Sequence, residues 1–216
     1  MRDRIFGLET EYGCLAPEDK GFVSPDAISV RVKDFIFHSK RSGIIDIHYR
    51  GRDEPPGNGG FLYNAGRVYI DMGHIEYATP ECSGLFDLIA SDRAGDQLLQ
   101  GALSALGLEK EASFLKNNID HCTGATFGCH ENYLVRRNVP FSTVVIPVLL
   151  PFLVTRQVYS GAGRVGSYDD SFYYFGQEDR DEECREDPVD FQISQRADHI
   201  VTEIYQWIQF SRAIIN

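Results

Sequence analysis

The stretch GRVYIDMGHIEYATPEC, residues 66–82, limits the folds open to this chain more than any other. In GRVYID the residues alternate: Val68 and Ile70 suit a packed face, and Arg67, Tyr69 and Asp71 project from the other. Such a strand belongs in a sheet that packs on one face and stays polar on the other. Glu76 follows a turn at Gly73, and Pro80 ends the run. An arginine, a phenol and two carboxylates in register make a floor for a phosphate, a metal and a proton acceptor. A solvated strand face with an Arg–Asp pair explains the same stretch equally well.

LETEYG, near the N-terminus, repeats the pattern. Glu9 and Glu11 lie two apart and share a strand face, where two like charges cost ~0.2–1 kcal/mol, and more when buried. A hard cation such as Mg²⁺ between them would remove that cost. Two acids on a solvated face are the plainer reading of this motif alone. HCTGATFGCHENYL holds His121, Cys122, Cys129 and His130, but their spacing matches no common zinc pattern. Glu131 in that stretch counts instead as one more acid on a polar sheet face. GAGRVG at 161–166 has the GxGxxG spacing, yet SYDDSFYYFGQ after it lacks a helical period, so a glycine-rich turn is expected.

Around these motifs the sequence predicts strands and helices without a regular βαβ rhythm, which is an α+β sheet protein. RIFGLETEYG reads as a strand, and Ser24 with Pro25 opens a helix that runs to about Ser39. YRGRDEPPGNGG (49–60) is a loop by composition, with mobility expected over Pro55–Gly60, and a strand follows at about 61–71. Residues 83–107 form the clearest helix, capped by Ser83, lined by Leu85, Leu88, Ile89, Leu99, Ala102, Leu103 and Leu106, and ended at Gly107. SFLKNNID and TFGCHENYLVRR predict two strands. The prolines of the apolar run at 144–159 fit a helix start better than a central strand. The acidic stretch at 178–187 is expected to be a solvated loop. A closing helix is predicted over QRADHIVTEIYQWIQFSRAII, with Ile200, Ile204, Trp207 and Ile208 on its apolar face.

Composition narrows the function. A net charge of −11 over 216 residues argues against a nucleic-acid binder and against anionic membranes. VVIPVLLPFLV at 144–154 is 11 residues with two prolines, too short to span a bilayer, and the charged start resembles no signal peptide. Five cysteines without CxxC spacing read as reduced thiols in the cytoplasm.

RIFGLETEYG, NAGRVYIDMGHIEYATPEC, LKNNIDHCTGATFGCHENYLV, PFLVTRQVYSGAGRV and ISQRADHI resemble, in that order, segments of the Pup ligase and depupylase family. The resemblance runs from residue 4 to the C-terminus. It implies a carboxylate–amine ligase of the glutamine synthetase type, whose curved, mainly antiparallel sheet cradles ATP. In the ligase, ATP phosphorylates the C-terminal glutamate of a small ubiquitin-like modifier (Pup), and a target lysine then attacks the acyl phosphate. Carried over by motif, Glu9, Tyr69 and Glu76 become Mg²⁺ ligands and Arg67 and Thr79 become ATP contacts. Asp71 becomes the catalytic carboxylate, a proton acceptor in a ligase or a nucleophile or water activator in a depupylase. Glu11 and Glu131 are further acids of the same face.

Departures from the pattern are specific. YRGRDEPPGNGG is an insertion intermediate between the short ligase connection and the long depupylase loop. The Asp71-to-Glu76 spacing suits the depupylase, whereas RIFGLETEYG, SDRAGDQLL and LLPFLVTRQ look more like the ligase. The family continues past IIN, so residues 1–216 are expected to be the N-terminal part of the catalytic domain, with a second chain a candidate to complete it. A non-catalytic subunit that binds modifier or nucleotide is the third reading.

Overall fold

The structure is a computed structural model, and it describes all residues except 1–3, 18–23, 50, 51, 53, 121–125, 166–190, 197, 198, 205–211 and 216. The chain divides into two compact units, one of residues 1–117 and 127–135 and one of 118–126 and 136–216.

The first unit is built on strand β1 (Phe6–Leu15). Beside it runs a meander of β2 (Gly43–Ile45), β3 (Gly59–Leu62), β4 (Arg67–Asp71) and β5 (His74–Ala78), with β5 paired to β1. On the other edge of β1, β6 (Ser113–Leu115) takes residues 13–15 and β7 (Cys129–Tyr133) takes residues 6–10. All of these pairings are antiparallel. The α+β class and the mainly antiparallel sheet expected from sequence are what the structure has.

One face of this sheet is packed. Tyr12, Val68, Ile70, Ile75 and Tyr77 meet Ile28, Val32, Ile36 and Phe37 from one helical segment and Leu99, Ala102 and Leu103 from another. The first segment is α1 (Pro25–Asp34), continued by a π-helical turn at Phe35–Ser39. Ser24 caps it by accepting the Ala27 N–H at 3.3 Å, with Pro25 at the first turn, as the sequence predicts.

The second segment, α2 (Leu85–Ala105), ends at Gly107, whose φ of +71° lets the Leu108 and Gly107 N–H groups close back on Leu103 and Ser104. Two expectations for it change. Gly84, not Ser83, is its N-cap. Its first turns lie in the open, with Leu85, Phe86 and Ile89 exposed; its first buried residue is Gly95, which abuts the Tyr77 ring.

The single strand expected at 61–71 is two strands. Asn64 makes the turn between them by accepting the Gly66 N–H at 2.9 Å, and Ala65 sits at a φ of +67°. A second tight turn, Met72 at +46° and Gly73 at +90°, joins β4 to β5 in the two-residue form that matches sheet twist.

The Pro55–Gly60 segment, expected to be mobile, is tied to the sheet and to α1 by hydrogen bonds. Gly57 N–H donates to Asp46 O at 2.8 Å, Lys33 Nζ holds Gly57 O at 2.9 Å, and Asn58 bonds the Ile70 carbonyl through its side chain. Gly59 and Gly60 are buried within β3, where any Cβ would strike the neighbouring strands.

The second unit carries a helical run from Phe141 to Ser160, made of a π-helical turn (Phe141–Val145), α3 (Ile146–Thr155) and α4 (Gln157–Ser160). It also holds β8 (Arg164–Val165) paired antiparallel to β9 (Phe191–Gln192). The predicted closing helix is corrected. Residues Ile200–Ile204 (β10) and Arg212–Ile215 (β11) are parallel paired strands, as their β-branched runs favour. Trp207, Ile208 and the acidic loop at 178–187 lie outside the described residues.

Candidate active site

Strand register decides which side chains share the polar face. Tyr69 pairs with Glu76 across β4 and β5, and Glu76 pairs with Glu11 across β5 and β1. The next row holds Arg67, Ala78, Glu9 and His130. Asp71 stands opposite His74 at the end of β4. Directly paired residues point the same way, so Arg67, Tyr69, Asp71, Glu76, Glu9 and Glu11 share the face away from the helices. Ala78 is the small member of its row, and the Tyr69 hydroxyl reaches across the diagonal there to Glu9.

Glu131 is the exception among the expected acids. It pairs with Leu8, one step out of phase with Glu9, and therefore faces the opposite side of the sheet. Its carboxylate accepts from the Tyr133 hydroxyl on its own strand. The residue that β7 does bring to the site is His130, whose Nδ1 lies 2.9 Å from Glu9 Oε2. Cys129 points away with Thr10, and His121 and Cys122 lie outside the described residues. A side-chain period of two explains the swap: an error of one residue exchanges the faces.

The centre of the site is the Tyr69 hydroxyl, which meets Glu76 Oε2 at 2.5 Å and also Glu9 Oε1. A phenol has one proton to donate, so two carboxylate partners require a second proton or a cation. The surroundings separate the two acids. Burial drives the Glu76 carboxyl up to about 7, and the charges of Glu11, Glu9 and Asp71 push the same way against the Tyr69 bond. Glu9 is held below its ordinary value, chiefly by the His130 hydrogen bond and with help from Tyr69, although burial opposes this. His130 is raised in return, first by its bond to Glu9. Burial also raises the Tyr69 phenol, which stays protonated. The arrangement is a proton-held chain, Glu76 to Tyr69 to Glu9 to His130.

The remaining expected residues are placed as follows. Glu11 accepts the Gly128 N–H at 2.6 Å. Thr79 follows β5 directly, and its Oγ1 accepts the Leu8 N–H at 3.0 Å, which ties the β1 edge but leaves its own hydroxyl proton to donate. Arg67 lies over the Tyr69 ring at 4.4 Å and is ion-paired to Glu54 at 2.9 Å. Glu54 was not singled out from sequence, and His130 only as a candidate zinc ligand, not as the partner of Glu9. A half-buried arginine on a strand does call for a counter-ion, and that was the available signal for Glu54.

Among the described residues, no three His, Cys, Asp or Glu side chains already form a metal cage. The donor set still suits a hard cation. Every group facing the centre from Glu9, Glu76 and Tyr69 is an oxygen, and the hydroxyl shared by two acids marks where positive charge is wanted.

A family profile described as Pup-ligase protein matches residues 4–216. The chain is 34% identical to the Pup--protein ligase of Xylanimonas cellulosilytica over 226 residues, covering 100% of this chain and 42% of that protein. It is 36% identical to the Pup--protein ligase of Sanguibacter keddieii, over 99% of this chain and 42% of that one. For the Pup--protein ligase of Jonesia denitrificans the identity is 37%, with 100% and 42% covered. The crystal structure of the complex between prokaryotic ubiquitin-like protein Pup and its ligase PafA is similar, with a TM-score of 0.64 and 34% identity over 91% of this chain and 35% of that one. The chain thus spans about two fifths of the length of the curated relatives it matches.

Proposed function

This chain belongs to the Pup-ligase protein family, and from that premise we propose that it carries the metal- and base-bearing face of an ATP- and Mg²⁺-dependent ligase. The reaction joins the C-terminal glutamate of a Pup-like modifier to lysines of target proteins through an acyl phosphate. The observation that carries this reading is the convergence of Glu9, Tyr69 and Glu76 on one polar sheet face, beside Arg67 and Asp71. The chain corresponds to the N-terminal part of the catalytic domain, and further polypeptide, in the same or a second chain, supplies the rest.

In this reading Glu9, Glu76 and Tyr69 would hold Mg²⁺, which would supply positive charge to offset the repulsion of phosphate and carboxylate. Arg67 offers a planar fork to phosphate oxygens, and the Thr79 hydroxyl donates to the same ligand. Asp71 acts on the lysine. An ammonium of pKa about 10.4 is charged at neutral pH and cannot attack. Asp71 takes one of its protons, the freed amine nitrogen bonds to the acyl carbon, and the bond from that carbon to the phosphate oxygen breaks to release phosphate. The reaction belongs to the cytoplasm, a reading supported by Cys14, Cys82 and Cys129, all free thiols.

The test uses the full-length protein, or this chain with whatever chain completes it, incubated with modifier, ATP, Mg²⁺ and a lysine-bearing target. A conjugate of the summed mass that depends on ATP is the expected product. Release of target from preformed conjugate would make the enzyme a depupylase. Nucleotide binding without either change would make it a binding subunit.

A further inference from the structure

Glu54 lies in the insertion that sets this chain apart from the ligase pattern. Its two carboxylate oxygens face the two terminal nitrogens of Arg67, Oε2 at 2.9 Å from Nη2 and Oε1 at 3.3 Å from Nη1. This is the parallel two-bond geometry by which arginine also holds phosphate. The guanidinium is fixed by its surroundings, 4.4 Å from the Tyr69 ring centre and 5.7 Å from that of Phe61. Its Nε is buried with no hydrogen-bond partner. Arg67 is thus a preformed anion receptor that an internal carboxylate occupies. Glu54 is placed by the anchored segment that follows it, where Gly57 is tied to Asp46 and Lys33.

We propose that Glu54 is an autoinhibitory competitor of the nucleotide: its carboxylate stands where two oxygens of a phosphate would, and ATP must displace it to reach Arg67. The proposal rests on the reading of Arg67 as an ATP contact. One fork cannot hold both anions through the same two nitrogens. Removing the charge of Glu54 therefore lowers the cost of nucleotide entry without altering the acids around Tyr69, which lie on other strands or further along the face.

The experiment measures Mg²⁺-ATP binding by calorimetry and the ATP dependence of turnover in the full-length protein. Its variants are Glu54→Gln, Glu54→Asp, Arg67→Ala and the Glu54→Gln/Arg67→Ala pair. Glu54→Gln is expected to tighten ATP binding on the order of 10-fold and to lower the KM for ATP, with kcat unchanged. Glu54→Asp, one methylene shorter, is expected to fall between Glu54→Gln and wild type. Arg67→Ala is expected to weaken binding, and adding Glu54→Gln to it should change nothing further. If Arg67→Ala binds ATP as wild type does, the reading of Arg67 fails and takes the proposal with it. If Arg67→Ala weakens binding but Glu54→Gln leaves it equal or weaker, the reading of Arg67 stands and Glu54 merely orients Arg67, which overturns the competitor role.

Discussion

Asp71 and Glu76 lie five residues apart on one hairpin, yet the structure gives them different surroundings. Asp71 closes β4 beside the turn, opposite His74, and is outside the chain of short bonds through Tyr69. Asp71→Asn keeps its shape and removes its basicity. ATP affinity of the full-length protein, by calorimetry, should hardly change, and turnover should fall ~10²–10⁴-fold, the usual span for a lost general base. Lost nucleotide binding would recast Asp71 as a metal ligand. Glu76 predicts a pH effect on stability once divalent cations are chelated. In the folded protein its carboxyl keeps a proton up to about 7, against an ordinary value of 4.5. The folded state therefore binds more protons than the unfolded state between those values. This contribution to stability is present below about pH 4.5 and is lost as pH rises through about 7, on the order of 3 kcal/mol. His130, also raised, loses its contribution in the same direction. Denaturation midpoints should fall from pH 5 to 7.5 in wild type and clearly less in Glu76→Gln. That Arg67, Tyr69 and Asp71 share one sheet face was legible in sequence because they obey a period of two. Glu131 was misread because the register of β7 against β1 depends on partners far away in sequence.

The elements show the same division between local and distant causes. Ser24, Pro25 and Gly107 mark helix ends through groups within a few residues, and these ends were readable. The break of residues 61–71 into β3 and β4 rests on an Asn64 side-chain turn inside an otherwise strand-like run. The C-terminal segment carries both an apolar helical period and β-branched clusters, and strand pairing decided between them in the part described. Gly95 tests how much distant packing outweighs local preference. Alanine at an interior helix position is worth about 1 kcal/mol over glycine. A Cβ there would lie 2.3 Å from Tyr77 Cδ1 and 2.6 Å from Cε1, inside a buried contact between α2 and the sheet. Overpacking of that kind costs ~1–3 kcal/mol or more, so the clash wins. Gly95→Ala should lower the urea midpoint, whereas Gly101→Ala on the exposed face, with nothing within 4 Å of its Cβ, should hold or raise it. Equal midpoints for the two variants would show that α2 shifts to absorb the methyl.

At the scale of the whole molecule the unusual feature is the helical run Phe141–Ser160. It is 20 residues long, and only 6% of its apolar 18-residue window is buried. The sequence read the apolar core of this run as too short for a bilayer. The helix extends beyond that core at both ends, and by length and composition alone it could cross one. Phe141, Val148, Phe152, Val154 and Val158 are all exposed, Val148 and Val158 to more than 70%. Soluble monomers seldom expose more than a few hundred Å² of contiguous apolar surface. The pattern differs from that of α2, which exposes Leu85, Phe86 and Ile89 in its first turns but buries Leu99, Ala102 and Leu103. A face of this kind takes up apolar partners, and the relatives are more than twice as long as the span matched here. The 216-residue chain by itself should therefore bind an apolar fluorescent dye strongly and self-associate in light scattering. Val148→Glu with Phe152→Glu should reduce both effects while leaving the far-UV circular dichroism in place. A form of the protein with the length of its relatives should show neither effect if its further polypeptide covers the helix. Strong dye binding there, together with flotation on neutral liposomes, would instead identify the helix as membrane-seeking. A monomeric 216-residue chain without dye binding would mean that the chain covers this helix by itself.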